Sequence, residues 1–225
     1  MMTTALGYQF AWGPVLDRWD LFLLGAWLDV WVTALSFVLA CAIGIGIAVM
    51  RLSGTFLLRA PAFVYVQLLR GVPLLVFLYW VYFGIAIVAG INFSPVQAGI
   101  VALTLTGSAY TAEIFRAGLQ AIDRGQAEAS RSLGLSRIGT YRHVLLPQML
   151  RIVVPPLGNT FIGLLKGATL LSIIAVHDMV RVANDLNINF FTPFEAFTAV
   201  AVILIVLVAV FSAAVTFLER VLALP

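Results

Sequence analysis

The chain has 225 residues, 62% of them hydrophobic and only 10% charged, with a formal net charge of +3. Soluble domains carry roughly a quarter charged residues, so no soluble fold of this length hides so much apolar surface, and an integral membrane protein follows. The positive balance is almost wholly arginine, Lys166 being the sole lysine. Without a basic stripe or an aromatic RNA-binding pattern, nucleic acid is excluded as a partner.

The opening "MMTTALGYQFAWGPVLDRWD" lacks the basic-then-apolar order of a cleavable signal, so the first span is expected to insert by itself. A spanning helix needs about 20 mostly apolar residues. Five stretches qualify: residues 23–50, 56–89, 95–119, 151–176 and 194–218. The second and third are long for a simple crossing, which predicts tilt, a break or extension beyond the lipid. The expected fold is all-α, five transmembrane helices with a helical loop between the third and fourth. Residues 1–22 form an external N-terminal segment, 23–218 the transmembrane domain with its loop at about 120–148, and 219–225 a cytoplasmic tail.

Arginine bias orients these spans. Arg51 and Arg59 flank the first turnaround, Arg116, Arg124, Arg131, Arg137, Arg142 and Arg151 crowd the third, and Arg220 follows the last span. The other side holds Asp17, Asp20, Asp178, Asp185 and Glu195 against Arg18 and Arg181. The N-terminus is therefore expected outside, and the C-terminus and the loop in the cytoplasm.

That loop reads "GQAEASRSLGLSRIGTYRHVLLPQ" from Gly125 to Gln148. Residues 126–135 are good helix formers, with Ala129 and Leu133 on one face. Gly134 is placed to end the helix, since only glycine turns left-handed without steric cost. Ile138, Tyr141 and Val144 mark a second short helix, and Pro147 the entry to the fourth span. Two uses are open: an amphipathic connector lying on lipid headgroups, or a docking helix for a cytoplasmic partner.

"EASRSLGLSRIGTYRHVLLP" resembles the EAA loop of permease subunits in ABC importers, Glu-Ala-Ala, three residues, Gly, nine residues, Ile, one residue, Leu-Pro. Glu128, Ala129, Gly134, Leu146 and Pro147 match; Ser130 replaces the second Ala and Val144 the Ile. "LLRGVPLLVFLYWVYFG", "YTAEIFRAGLQAIDRGQ" and "LPQMLRIVVPPLGNTFIGLLK" extend the resemblance, to the polar amino acid uptake family of histidine, glutamate, glutamine and arginine permeases, over roughly residues 23–218. The resemblance implies a multi-pass protein of the bacterial cytoplasmic (inner) membrane. It would dimerise with itself or a sister permease, each copy gripping a separate ATP-binding subunit that holds ATP and Mg, while an extracytoplasmic amino-acid-binding protein delivers substrate. Glu128 would make polar contacts in the ATPase cleft, Ala129 would allow close approach, and Gly134 would set the bend.

Arg70 and Lys166 fall inside the second and fourth spans, each about 20 Å from the cytoplasmic end at about 1.5 Å per residue. A charge at such depth costs several kcal/mol. Each cation either caps helix-end carbonyls, pairs with a carboxylate such as Glu113, or meets an anionic substrate group. Gly71 beside Pro73, and Gly167 after Lys166, are places where a helix can unwind toward a substrate, and Asn159 could add a hydrogen bond. Many relatives read Lys-Asp-Thr-Ser-Leu where this chain has "KGATL", so the acid is Gly167 here. Gly163 with Gly167, and Gly44 with Gly46, suit close helix packing. "FLYWVYF" suits an aromatic belt.

The single Cys41, in an apolar run, excludes an internal disulfide or zinc site. His143 and His177 lack metal spacing, and no phosphate-cradling Gly-rich loop or catalytic triad order is present. No catalytic residue, metal or cofactor is assigned to this chain. "HDMVRVANDLN", residues 177–187, reads as an external surface loop where the binding protein docks. The rival functions are a self-sufficient channel or ion-coupled carrier, which should show inverted repeats and its own membrane carboxylates, and a scaffold recruiting a cytoplasmic protein.

Overall fold

The computed structural model describes residues 8–222, the side chain of Arg124 aside. Among these residues the regular structure is wholly helical. In chain order the helices are α1 (Gly13–Leu16), α2 (Trp19–Leu52), α3 (Phe56–Gly71), α4 (Leu74–Tyr79), α5 (Ile85–Ala89), α6 (Pro95–Gln120), α7 (Arg124–Ser132), α8 (Arg137–Thr140), α9 (Leu146–Ala168), α10 (Met179–Phe190) and α11 (Pro193–Leu222). Wider π turns join α4 to α5 (Trp80–Gly84) and α8 to α9 (Tyr141–Leu145), and a 3-10 turn (Thr169–Ile174) follows α9.

Four helical stretches are long and apolar enough to cross a membrane, and a fifth arises if α3 and α4–α5, bent by 106° at their break, count as one span. The break has a local cause. Val72 is extended (φ −90°, ψ 128°) because the residue before a proline is pushed out of the helical region. The start of α6 is equally local: Gln97 N–H donates to Ser94 Oγ at 3.3 Å and Ser94 N–H to Gln97 Oε1 at 2.9 Å, a reciprocal cap ahead of Pro95.

The structure qualifies one expectation and corrects another. Pro147 is the second residue of α9, but the helical path reaches back through a π turn and runs from Arg137 to Ile174. The π turn, with Leu146 N–H reaching Tyr141 O, takes up the irregularity next to a residue that has no N–H to donate. Residues 177–187 do not form a loop; most belong to α10, whose Met179, Ala183 and Leu186 are buried at helical spacing.

The chain divides into two compact units. The first comprises Met1–Leu35, Leu74–Leu103 and Leu164–Ala209. Its core gathers Val15 and Phe22 with Met179, Leu186, Val200 and Ile203. Gly25 is essential to it: a Cβ there would lie 2.4 Å from Met179 N, so α2 meets the start of α10 backbone to backbone. The second unit comprises Ser36–Pro73, Thr104–Gly163 and Val210–Pro225. There Gly44 packs on Thr111, whose Oγ1 donates to Ala40 O at 2.9 Å. Ala48, Phe115 and Val153 form its buried centre. Gly46 and Gly163, by contrast, have open space around them.

Candidate functional site

The most elaborately built polar segment is the one around α7. Asp123 caps it, accepting from Gly125 N–H at 2.6 Å, a contact of the kind worth about 1 kcal/mol. At the other end Gly134 adopts φ +83°. Its N–H donates to Arg131 O at 2.9 Å while Leu135 N–H reaches Ser130 O at 3.1 Å, the paired bonds of a left-handed glycine terminus. Ser136 then caps α8, accepting from Gly139 N–H at 3.1 Å. The two short helices are pinned across the bend by a buried hydrogen bond of 3.0 Å between the Ser130 and Thr140 hydroxyls. Serine at a position where the family pattern has alanine therefore gains a partner.

What the segment leaves outward is chemically mixed. Glu128 and Ala129 are exposed, and Glu128 forms no ion pair among the described residues. Leu133 is 84% and Ile138 80% exposed, with Tyr141 and Leu146 exposed nearby; Pro147 is exposed as well. A cleft of about 260 Å³ lies beside α7, lined by Leu52, Leu119, Ile122, Ala127, Tyr141 and Leu145 among others. A rigid, capped bend carrying an unpaired carboxylate among unburied apolar side chains is chemically suited to a protein partner.

The two cations of the spans share a local setting. Arg70 lies in the last turn of α3 and Lys166 in the last turn of α9, where the partial negative charge of a helix C-terminus favours a cation. The Arg70 guanidinium lies 5.3 Å from the centroid of the Tyr110 ring. Gly71 is exposed with nothing packed on it. Lys166 is exposed, and its carbonyl accepts from Thr169 Oγ1 at 2.7 Å. Asn159 and Gly163 are exposed on the same helix at i and i+4, with Lys166 at i+7. Gly167 faces Leu74, whose Cδ2 would lie 2.6 Å from an added Cβ. An acid at that position would have to displace Leu74.

Glu113 pairs with neither cation. It binds Arg51 at 3.2 Å and Arg116 at 2.7 Å, and Arg51 lies over the Phe63 ring at 4.9 Å. Glu113 therefore ties the end of α2 to α6. Two further acids, Glu195 and Asp29, are buried, and of these only Asp29 is missing from the sequence reading. Glu195, in the first turn of α11, is fully buried and accepts from Tyr8 Oη and, at 2.5 Å, from Ala11 N–H. Asp29, within α2, is fully buried with neither oxygen hydrogen-bonded. It sits inside an apolar run whose average hydropathy conceals one acid; only a residue-by-residue count would have found it. Outside the spans, burial pushes Asp178 up to about 6, although N–H donors from Arg181, Ser172 and Val180 pull the other way.

With this geometry in view, comparison with known proteins is decisive. Residues 40–223 match the family described as binding-protein-dependent transport system inner membrane component. The chain belongs to that family. It is 33% identical over 206 residues, 92% of this chain and 95% of the relative, to the "Probable glutamine ABC transporter permease protein GlnM" of Bacillus subtilis (strain 168). It is 32% identical over 213 residues, 94% of this chain and 97% of the relative, to the "Glutamine transport system permease protein GlnP" of Escherichia coli (strain K12). Among solved structures it resembles a crystal structure of an amino acid ABC transporter with histidines, at 34% identity and a TM-score of 0.87, covering 95% of this chain and 99% of the other. The inward-facing MetNI methionine ABC transporter, at 22% identity and a TM-score of 0.75 over 92% of this chain and 99% of the other, shares the fold. The family and the named relatives are those of multi-pass ABC permease subunits.

Proposed function

We propose that this permease subunit imports polar amino acids as one half of a dimeric translocation path, and that α7 with its glycine bend couples it to a separate ATP-binding subunit on the cytoplasmic side. The observation that carries the coupling is the outward face of that bend: Glu128 without an ion pair among the described residues, Leu133 and Ile138 almost wholly exposed, on a backbone fixed by Gly134 and by the Ser130–Thr140 bond. The arginine bias supports placing this segment and the C-terminus in the cytoplasm and the N-terminus outside. The relatives named for glutamine support the substrate class.

In this reading ATP and Mg bind the partner, whose closure pulls α7 and, through the continuous helical path from Arg137, moves α9. Ala129 allows close approach, and Leu146 and Pro147 flank the joint. Arg70, Gly71, Asn159, Lys166 and Gly167 belong to the substrate path, the cations facing the α-carboxylate of an amino acid. An extracytoplasmic amino-acid-binding protein docks on the face of α10, where a groove of about 680 Å³ is rimmed by Arg18, His177, Asp185 and Asn189. A second copy or sister permease completes the path, and membrane lipid surrounds the apolar faces.

Glu128→Arg tests this. In vesicles holding the assembled transporter, the variant is expected to insert normally and to lose ATP-driven uptake of labelled amino acid. Uptake at the native rate, with insertion intact, overturns the coupling role.

A further inference from the structure

The groove beside α10 is defined at both ends by contacts between α10 and the chain around the start of α2. At one end Gly25 brings α2 against the start of α10 backbone to backbone, an ideal Cβ there lying 2.4 Å from Met179 N. At the other end only long side chains bridge the gap: the Arg18 guanidinium lies 4.7 Å from the centroid of the Phe190 ring. The groove is therefore a wedge, narrow at Gly25 and wide at Arg18. Its volume of about 680 Å³ falls within the range of about 300–1,000 Å³ usual for clefts that hold a small molecule.

Its walls and its rim differ in chemistry. Leu21, Leu24 and Leu28 line it from α2 at helical spacing, and Val182 and Leu186 line it from α10. The charged groups collect toward the wide end. Arg18 forms no ion pair among the described residues, and its Nη1 donates only to Pro14 O at a long 3.4 Å. Asp185 pairs with Arg181 at 3.1 Å, and Asn189 Nδ2 donates to the Asp185 carbonyl at 2.7 Å, which leaves the Asn189 Oδ1 as an acceptor. His177, beside the narrow end, is exposed. The depth is that of a bilayer boundary. From Arg18 to Leu28 the chain rises about 15 Å at about 1.5 Å per residue. The apolar run of the first span begins at residue 23, so the groove lies partly at headgroup depth and partly in hydrocarbon. Exposed Trp19 and Trp27 bracket the same stretch, as interfacial tryptophans do.

We infer that this groove binds one phospholipid with a zwitterionic, ammonium-bearing headgroup, taken from the leaflet that meets the N-terminal end of α2. The phosphate lies on Arg18, the ammonium at Asp185 and Asn189, and one acyl chain runs along Leu21, Leu24 and Leu28. Charge complementarity selects the headgroup. Asp17 and Asp20 are exposed on either side of Arg18, and with Asp185 the acids of this rim outnumber Arg18 and Arg181. An anionic headgroup meets net repulsion there, whereas a head carrying both a phosphate and an ammonium finds a partner for each sign. A free amino acid has the same two charges but no long apolar chain to cover the leucine wall, so the occupant is a lipid. The inference goes beyond the docking of a binding protein at the rim and does not rest on it, since it concerns the walls beneath.

The test uses the full chain in its assembled transporter, without binding protein or ATP, in vesicles of equal parts phosphatidylethanolamine and phosphatidylglycerol. A trace of phosphatidylethanolamine bearing a photoactivatable diazirine in one acyl chain is added, and the cross-linked peptides are located by mass spectrometry. Labelling of both walls, residues 21–28 and 182–190, is expected to exceed that of the exposed residues Val206 and Val210 on α11. Arg18→Gln should lower wall labelling about tenfold, equivalent to about 1.4 kcal/mol for a lost charge-assisted contact, and leave α11 labelling as it was. Leu24→Trp, at an exposed position, fills the groove and should lower labelling of the α10 wall. The same diazirine on phosphatidylglycerol should label the walls no more than α11. Wall labelling equal to that of α11 in the native protein overturns the inference. So does wall labelling that Arg18→Gln leaves unchanged, or equal wall labelling by the two lipids. The native comparison of walls with α11 decides the matter even if a variant fails to assemble.

Discussion

The segment around α7 and the packet around α10 solve opposite problems with the same kinds of residue. Around α7 the polar groups find partners within the segment, Asp123 with Gly125, Ser136 with Gly139 and Ser130 with Thr140, while Leu133 and Ile138 stay uncovered. Around α10 the apolar groups are buried, Met179, Ala183 and Leu186 among them, and it is Asp29 and Thr33 that lack partners. The first region is locally rigid and awaits a surface. The second is closed upon itself, with Asp178 held by the Ser172 and Arg181 N–H groups. Exposed apolar residues on a capped scaffold suit binding, whereas buried polar groups without partners are costly to keep.

Substitutions can sharpen this contrast. The largest effect is expected from Gly25→Leu, because backbone atoms of Met179 and Asp178 occupy the space of the new side chain. A loss of about 3 kcal/mol is expected, read as a drop in the thermal unfolding temperature of the purified protein. Leu133→Asp touches the other region and should do the reverse. Stability should not change, while uptake falls at least about tenfold, or about 1.4 kcal/mol of lost partner binding. Equal loss of stability in both variants would break the contrast. Gly134→Val forces a branched side chain into a left-handed backbone and should cost about 1 kcal/mol, seen as unfolding at lower denaturant. Ser130→Ala, which restores the residue of the family pattern, removes the bond to Thr140 and should cost about 0.5 kcal/mol with uptake retained.

Several of these features could be read directly from sequence. Pro95 and Pro193 mark the first residues of α6 and α11, where proline has no helical N–H bond to lose, although Pro61, Pro155 and Pro156 lie inside helices. Gly134 marks the bend because its conformation is unavailable to other residues at low cost. The period of Met179, Ala183 and Leu186 also reveals α10, although its polar residues disguised it as a loop. Other features depend on distant partners. Arg51 lies 62 positions before Glu113, and nothing local in either stretch indicates their pairing. The Ser130–Thr140 bond depends on the turn at Gly134 having formed. The burial of Asp29 depends on Gly25 bringing α10 against α2.

The central claim, that the outward face of the α7 bend receives an ATPase, is tested most directly by gentle extraction of the native complex followed by mass spectrometry of the proteins that co-purify. An ATP-binding subunit should be recovered in amounts near equal to this chain, and should be lost with Glu128→Arg and Gly134→Val while the permease itself remains folded. Recovery of this chain alone, after cross-linking as well, would contradict that claim and favour a self-sufficient carrier or channel.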